Sequence, residues 1–358
     1  MVAVRLPDRT KIRIYRIAAG DTRKLPPLSA LRATASVGGQ SAAIACCFEA
    51  GRDGFWLHRL LTGQGVDSYV MEPTSILVNR RARRAKTDRL DAEGLLRVLA
   101  TWLAGDRQVC SMLRAPTPDE EDAKRPHRER EHLVQERIRI ENRISALLVT
   151  QGVRHRPSLR YWERDLAALR TGDGRDLPMH LGAELNRLRR RLQVTMEQIR
   201  ELDQERAATL AAAPEDAMSK KIAMLRCVRG IGDNFAAVLV REVFYRSFTN
   251  RRQLASYVGL TPMPHQSGAM DRDRHISRAG NPRARTTMVQ LAWLWLRYQT
   301  GNELADWFRE RVGTLAGRTR RIAIIAMARK LLIALWRYTE TGEVPAGVDL
   351  RPSPTFAG

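Results

Sequence analysis

The sequence predicts an α/β domain, then long charged helices that form a coiled coil, and then an all-α domain. Three patterns support this order: short apolar segments that alternate with helical ones, then heptad spacing of apolar residues, then helical spacing again. The boundaries that follow from these patterns are residues 1–115, 116–219 and 220–345, with residues 346–358 as a tail.

The composition indicates a folded protein that binds a polyanion. The 358 residues include 61 Lys and Arg against 39 Asp and Glu, a formal net charge of +22, and 44% of them are hydrophobic. An excess of cations in a chain with enough apolar residues for a core is typical of nucleic-acid binders. The cysteines lack metal-site spacing and are expected to be reduced. Without a signal peptide or an apolar run of membrane-spanning length, the sequence predicts a cytoplasmic protein.

The α/β domain begins with a predicted hairpin. Residues 1–6 and 11–17 have strand composition and flank the turn-forming Pro7-Asp8-Arg9-Thr10. A helix is predicted around residues 25–35. Residues 41–48 then form a continuous apolar run, which predicts a fully buried central strand that ends at Glu49. Ligands of open α/β sheets gather at the carboxyl ends of strands, so Glu49 is a candidate site residue.

Two aspartates at a helix start are the central candidates for a metal site. Residues 55–61 predict a helix and residues 65–73 a strand, and the next helix begins near Asp88 and Asp91. Three positions apart, both carboxylates project from one face of the first turn. Such a pair suits Mg²⁺ or Mn²⁺. The alternative interpretation is a helix start that favours Asp because of the macrodipole.

A basic run precedes the two aspartates directly. A run of this kind is usually a solvated face, but cations beside a carboxylate cluster also suit a phosphate backbone delivered to a metal site. The run consists of Arg80, Arg81, Arg83, Arg84 and Lys86.

Two heptad-patterned helices occupy the middle of the chain. They predict either an antiparallel hairpin, with residues 152–178 as the connection, or an intermolecular coiled coil. The arginines within residues 187–191 are either inert surface or a nucleic-acid track. The heptad positions are Leu133, Ile140 and Leu147 in the first helix and Leu185, Leu192 and Ile199 in the second.

A glycine pair follows near the start of the third domain. Arg229-Gly230-Ile231-Gly232 lies between two predicted helices, as in a helix-hairpin-helix element that binds DNA. There the glycines let the backbone approach a phosphate, and the second helix offers free N–H groups. Alone, such a pair is a weak motif.

Ser267 is the candidate nucleophile of this domain. Residues 257–268 predict a loop in which Ser267-Gly268 is exposed. A serine among guanidinium groups is suited to attack a phosphodiester, because the guanidiniums stabilise charge on the transferring group. The alternative is a turn serine bonded to its own backbone. The arginines that follow the serine are Arg272, Arg274, Arg278, Arg283 and Arg285.

The tryptophans of the last helices recur at helical spacing, which predicts that they pack in the core.

Six blocks of the sequence, in this order, resemble the insertion-sequence 110 family of transposases. The similarity extends over nearly the whole chain and is weakest in the heptad segment, and the shared order makes it more specific than any single block. The blocks are Phe48–Gly51, Lys86–Ala92, Arg229–Gly232, Tyr257–Pro262, Gln266–Gly268 and Ile276–Asn281.

The resemblance implies a RuvC-like domain of the ribonuclease-H type, whose Asp-Glu-Asp-Asp tetrad binds Mg²⁺, and a C-terminal domain with a nucleophilic serine. Matched residue by residue, Glu49, Asp88 and Asp91 correspond to the second, third and fourth acids, and Ser267 to the nucleophile. The family recombines DNA through a covalent phosphoserine link, is guided by a structured noncoding RNA and acts as a multimer. The implied partners are DNA at the element ends and target, a guide RNA and further copies of the chain as a dimer or tetramer, without a membrane.

The first aspartate of the family pattern has no counterpart in this sequence. It belongs to a strand ahead of the segment Val2–Leu6, and neither Asp8 nor Asp21 replaces it. We therefore expect either a start codon assigned too late or a truncated gene, with weaker metal binding by three carboxylates.

Three functions are compatible with these residues. The first is a recombinase that exchanges DNA strands through Ser267. The second is an inactive remnant that still binds nucleic acid. The third is a structure-selective RuvC-type endonuclease that cuts with activated water. Replacing the serine with alanine distinguishes the first from the third, because only the recombinase depends on its hydroxyl.

Overall fold

A computed structural model shows a mixed α/β protein in which helices predominate. The chain divides into two compact units, residues 1–118 and residues 119–358. No helix in the described part is long and apolar enough to cross a membrane. The described residues are 1–6, 11–18, 20–25, 43–76, 87–267, 270–314 and 317–351, with the backbone alone for 264–267 and 270–275.

The first unit begins with the predicted hairpin. Strand β1 (Val2–Val4) pairs antiparallel with β2 (Arg13–Tyr15), so that Val2 lies opposite Tyr15. The predicted turn at residues 7–10 lies outside the described residues, as does nearly all of the helix predicted around residues 25–35. The hairpin itself is confirmed.

A three-stranded sheet forms the centre of the first unit. Strands β3 (Ala45–Glu49) and β4 (Asp67–Met71) are parallel, and β4 pairs antiparallel with β5 (Met112–Leu113). Met71 on β4 is fully buried, whereas β3 is half-buried and ends at an exposed residue. The prediction that β3 is a fully buried central strand is therefore wrong for the described sheet, because β3 has a paired strand on one side only.

Two helices flank this sheet. Helix α1 (Trp56–Gly63) packs against β4, and α2 (Asp88–Leu103) packs against β1 and β3. Thr87 caps α2: its hydroxyl accepts a hydrogen bond from the Leu90 N–H at 3.3 Å. Both helices were predicted from their apolar spacing, and the cap explains why α2 begins where it does.

The cysteines of the first unit are free thiols, of which Cys110 is buried and Cys46 and Cys47 are partly buried. Burial raises the pKa of Cys47 to about 12, with further contributions from the neighbouring thiols Cys46 and Cys110. Its Sγ lies 3.5 Å from the backbone oxygen of Leu95 on α2. All four cysteines are free, as the sequence predicts.

The second unit contains an antiparallel helical hairpin. After the short helix α3 (Pro118–Asp122) come α4 (Arg125–Val149), α5 (Trp162–Ala168) and α6 (Met179–Ala212). The ion pairs Arg143–Glu184 and Arg130–Asp203 show that α4 and α6 run in opposite directions. Of the two alternatives that the heptads left open, the hairpin within one chain is confirmed. The buried seam consists of Ile140, Ile144, Leu148, Leu185, Leu188 and Leu192.

Helix α5 was not predicted from the sequence. Trp162, 2% exposed, anchors it to α6, because the indole Nε1–H donates to the side-chain oxygen of Asn186 at 2.8 Å. The helical spacing of Trp162, Leu166 and Leu169 indicates this helix. Glycine and proline residues flank the segment, however, and such residues are typical of a connection.

Six further helical segments build the largest core. They include Phe244, Leu254, Met288 and Leu331, all fully buried. The core packing predicted for the tryptophans holds for Trp295. The segments are α7 (Ala217–Cys227), α8 (Asp233–Leu239) with a π-helical turn at Val240–Phe244, α9 (Arg251–Val258), α10 (Pro282–Tyr298), α11 (Glu303–Val312) and α12 (Arg318–Thr341).

A β-hairpin interrupts this helical part, so the prediction of an all-α domain is wrong. Strand β6 (Pro262–Ser267) pairs antiparallel with β7 (Met270–Ile276). Two residues with a glycine, 268 and 269, separate the strands, a length typical of hairpins. Polar residues dominate both strands, so the apolar alternation that marks most strands is absent.

Candidate functional site

Ser267 lies at the tip of the β6/β7 hairpin. It is the last residue of β6 and pairs with Met270, the first residue of β7. The sequence predicted a loop here, and the structure instead places Ser267 at the end of a strand. The pairing register shifts between Pro262 and Pro264, in the strand that leads to the serine.

A close crossing of two backbone segments supports the base of this hairpin. The Ser277 N–H donates to the Thr261 carbonyl at 2.9 Å, and the Asn281 N–H donates to the Tyr257 carbonyl at 2.8 Å. Gly259 has a φ of +74°, and a Cβ there would lie 2.0 Å from the carbonyl oxygen of Ala279. Only glycine fits this position.

We expect Gly259→Ala to lower the free energy of unfolding by about 2 kcal/mol or more, because it adds left-handed strain to a backbone clash. Urea denaturation measures this change. The control is Gly182→Ala in α6, where a Cβ would meet nothing within 4 Å. That variant should be unchanged or stabilised by up to about 1 kcal/mol. Equal midpoints for Gly259→Ala and the unmodified chain would contradict the tight crossing.

Glu242 is a buried carboxylate directly behind this crossing. It lies in the π-helical turn that follows α8 and is 1% exposed. Its Oε1 accepts from His127 Nε2 at 2.9 Å and from Arg128 Nε at 2.7 Å. Its Oε2 accepts from Arg128 Nη2 at 3.0 Å and from Asn281 Nδ2 at 2.9 Å. Both oxygens are therefore fully engaged.

Asn281 links this carboxylate to the hairpin. Its Oδ1 accepts hydrogen bonds from the N–H groups of Arg283 and Ala284 and so caps α10. The same residue ends the segment that returns from β7, so Glu242 connects the start of α4 to the base of the serine hairpin. Glu242 was not among the predicted site residues, although a lone acid within an apolar helical run is a signal of a buried polar network.

The network keeps Glu242 ionised. Burial raises the pKa of its carboxyl, but the hydrogen bonds from His127, Arg128 and Asn281 and the positive charge of Arg128 outweigh burial. The pKa of Glu242 therefore lies well below its usual range. The nearby Tyr257 hydroxyl donates to the backbone carbonyl of Glu242 at 3.0 Å, and burial raises the pKa of this tyrosine to about 12.

The predicted nucleic-acid arginines near the serine differ in their surroundings. Arg274 lies on β7. Arg283 donates to Glu131 on α4, and Arg285 donates to the carbonyl oxygens of Val258 and Arg278. Burial lowers the pKa of Arg285.

Arg278 is exposed, whereas Arg283 and Arg285 are partly buried, and its φ is +54°. No ion pair to its guanidinium occurs within the described chain. The guanidinium of Arg278 is therefore more available to bind a ligand than those of Arg283 and Arg285, which donate hydrogen bonds within the chain.

The glycine pair lies in a turn between two helices, as predicted. Gly230 has a φ of +96°, and Gly232 is the N-cap residue of α8. Arg229 is exposed and lies 3.8 Å from Asp349. The first residue of α8, Asp233, pairs with Arg226 at 2.6 Å. Its function as a helix-hairpin-helix element stays a prediction.

The arginine run of α6 is partly engaged. Arg189 pairs with Glu163, and Arg191 lies 3.3 Å from Glu136. Arg187 and Arg190 are exposed. The basic run at residues 80–86 lies outside the described residues.

The three acids of the predicted metal site lie in the first unit. Glu49 is the exposed last residue of β3, at the carboxyl end of the strand as expected. Asp88 and Asp91 are exposed on the first turn of α2. The next acid of this helix, Glu93, is engaged by Arg89 at 2.9 Å and by a second arginine one turn further on.

A complete metal cage is not formed by these acids. Within the described ranges, no three His, Cys, Asp or Glu side chains are grouped so that they could hold a metal ion. Asp88 and Asp91 alone fit Mg²⁺ of the kind that completes its coordination with water and substrate phosphates. The pair thus suits a metal that arrives with a nucleic acid.

Known proteins are similar in sequence to this chain over most of its length. A sequence model of the IS116/IS110/IS902 family of transposases matches residues 222–307, which include Glu242, Ser267 and Asn281. The putative transposase y4rJ of Sinorhizobium fredii is 48% identical over 311 residues, 85% of this chain and 78% of that protein.

Two more distant relatives are similar over comparable lengths. The transposase for insertion sequence element IS1328 of Yersinia enterocolitica is 27% identical over 72% of this chain and 73% of its own length. The transposase for insertion sequence element IS1111A of Coxiella burnetii is 24% identical over 78% of this chain and 73% of its own length. All three relatives have the same named activity.

Proposed function

The chain belongs to the IS116/IS110/IS902 family of transposases, and from this premise we propose that it cleaves and rejoins DNA at the ends of an insertion sequence through Ser267. The observation that carries the proposal is the position of Ser267 at the tip of a hairpin whose base is fixed by the Gly259 crossing and the Glu242 network. A nucleophile needs such a support, because small displacements of the attacking atom cost large factors in rate.

The proposed step is a phosphoryl transfer to the serine. The Oγ of Ser267 attacks the scissile phosphorus, its proton passes to a base or to water, and the bond from phosphorus to the leaving strand oxygen breaks. The leaving oxygen takes up a proton and becomes a hydroxyl. A hydroxyl of the partner strand then attacks the phosphoserine and releases the serine, so the number of phosphodiester bonds is conserved.

Cations near the hairpin support this chemistry. Arg274 on β7 and the exposed Arg278 follow the serine closely in the chain. Guanidinium groups stabilise the charge that develops on the transferring phosphoryl group. We also propose that the net charge of +22 serves the backbones of DNA and of a structured guide RNA, and that copies of the chain assemble as a dimer or tetramer.

The metal proposal rests on the acids of the first unit. Asp88 and Asp91, with Glu49, would hold Mg²⁺ or Mn²⁺ together with phosphate oxygens of the bound DNA. The ion would act as a Lewis acid on the scissile phosphate. The carboxylates themselves would bind the ion and fix its place.

A strand-exchange assay tests this function. The full chain is incubated with DNA that carries the element ends and a target, with RNA transcribed from the element, and with or without Mg²⁺. We expect joined product only with Mg²⁺ or Mn²⁺, and Asp91→Asn should reduce it on the order of 10²-fold or more. The control is Asp53→Asn, whose carboxylate is 86% exposed near Arg52. Full activity in excess EDTA would refute the metal proposal, and no product under any condition would refute the recombinase.

A further inference from the structure

Helices α10 and α12 are almost free of acidic residues. Together they contain nine Lys and Arg residues and a single acid, Glu340. Arg318, Arg320 and Arg321 lie exposed in the first turn of α12, and none of them has an ion-pair partner in the part of the chain that is described. The macrodipole disfavours cations at the start of a helix, so local helix stability does not explain these arginines.

One of these arginines is held in place by an exposed tryptophan. The guanidinium carbon of Arg320 lies 5.0 Å from the ring centroid of Trp293 on α10. Trp293 is 38% exposed, although core packing was predicted for it. Phe308 on α11 packs against the same indole, with ring centroids 6.3 Å apart. The indole of Trp293, itself packed against Phe308, therefore restrains the side chain of Arg320.

The same side of α10 offers a further cation. Arg297 follows Trp293 by four positions, so the two lie one above the other on the helix surface, and both are exposed. The guanidinium carbon of Arg297 lies 5.5 Å from the ring centroid of its neighbour Tyr298, so exposed cations of two packed helices each lie over an aromatic ring. Exposed cations without acidic partners match the repeated negative charges of a phosphate backbone.

The stacking decides which nucleic acid this surface fits. An arginine stacked on an aromatic ring keeps its N–H groups available for a phosphate in a forked geometry. Single-stranded nucleic acids are instead bound by stacking of bases on free aromatic faces. Because Arg320 covers a face of Trp293, the surface favours backbone contacts over base stacking. It therefore suits a duplex.

We propose that Arg297, Arg318, Arg320 and Arg321, supported by Trp293, form a surface that binds the phosphate backbone of duplex DNA. We call it the α10/α12 surface. The proposal rests on the proposed function, since DNA is the substrate there, and it adds a place on this chain where the duplex is held. Contacts to phosphates position DNA without reading its sequence.

Fluorescence anisotropy with a labelled DNA duplex of arbitrary sequence tests the α10/α12 surface. In the full chain, the triple variant Arg318→Gln, Arg320→Gln, Arg321→Gln should bind on the order of 10²-fold more weakly near 0.1 M salt. The slope of log affinity against log salt should become shallower by about 3. Trp293→Ala should weaken the binding of duplex DNA. Trp293→Phe should bind more tightly than Trp293→Ala, because an aromatic ring remains against Arg320.

The control replaces three exposed arginines that already pair with acids, Arg143, Arg164 and Arg175, with glutamine. It changes the net charge equally, so an equal loss of affinity in the control would overturn the α10/α12 surface in favour of a general charge effect. Unchanged affinity and salt slope in the first triple variant would also overturn it. The same assay with a labelled structured RNA covers the other case: if the triple variant loses affinity for RNA but not for duplex DNA, the proposal is wrong.

The assay measures binding without strand cleavage, so the two proposals fail separately. A chain that binds duplex DNA through this surface but never exchanges strands refutes the chemistry of Ser267 and supports the surface. A chain that exchanges strands with an unchanged salt slope in the triple variant refutes the surface alone.

Discussion

Ser267→Ala is expected to reduce the rate of strand exchange by a factor of at least about 10³, the scale seen when a covalent nucleophile is removed. The physical reason is that the hydroxyl oxygen forms the bond to phosphorus in the proposed step, and alanine leaves no substitute atom. The measurement is the amount of joined DNA, together with the covalent protein–DNA adduct that survives denaturation with detergent. Both should vanish, whereas DNA affinity should remain.

The control is Ser145→Ala in α4, where the hydroxyl donates only to the backbone carbonyl of Glu141. Strand exchange by this variant should equal that of the unmodified chain. If Ser267→Ala still cuts DNA in the presence of Mg²⁺ and forms no adduct, the chain is an endonuclease that uses activated water. If the unmodified chain binds DNA but never cuts it, the remnant hypothesis holds.

The elements predicted correctly depend on local sequence. Helix α2 begins at Asp88 because Thr87 caps it and apolar residues recur at helical spacing, and both signals lie within a few positions. Helix α6 buries Leu185, Leu192 and Ile199 every seven positions, as its heptad pattern predicts. Helix α4 buries Ile140 as predicted, but Leu133 and Leu147 are only partly buried, and Ile144 and Leu148 complete its buried side at a spacing of four. Their pairing within one chain was one of two alternatives, and only the ion pairs between them distinguish the two.

The features that were missed depend on residues far apart in the chain. Glu242 and His127 are 115 residues apart. The apolar run around Glu242 indicates that the acid is buried, but no local sequence feature identifies its partner. The strands β6 and β7 contain few apolar residues, and their support comes from the distant crossing at Gly259 rather than from their own pattern. The candidate nucleophile was identified by its motif, but its position on a hairpin tip required the structure.

Replacement of Glu242 is expected to cost more stability than any other single change considered. Removing one partner of a buried ion pair costs about 3–5 kcal/mol, and Glu242→Gln removes the charge that Arg128 and His127 bind. Urea denaturation at pH 7 measures the change. The control is Glu201→Gln on the exposed side of α6, which should stay within about 0.5 kcal/mol of the unmodified chain. Equal stability of both variants would contradict the network.

The dependence on pH gives a second, independent signature. The pKa of Glu242 is lower in the folded chain than in the unfolded chain, where it lies near the ordinary value of about 4.3. Its contribution to stability is therefore complete above that value and is lost as the pH falls toward the folded-state pKa. The difference in unfolding free energy between the unmodified chain and Glu242→Gln should be largest near neutral pH and should shrink below about pH 4. A difference that stays constant down to pH 3 would mean that packing, not charge, explains the effect of Glu242→Gln.

The same variant tests the link between the carboxylate and the serine. Glu242 accepts from Asn281, and Asn281 caps α10 immediately after the hairpin returns. Weakening this contact should loosen the base of the hairpin while Ser267 itself is unchanged. Under conditions where Glu242→Gln is still folded, we therefore expect strand exchange to fall more than DNA affinity, because the nucleophile loses its fixed position. Parallel losses of affinity and exchange would assign Glu242 to general stability alone.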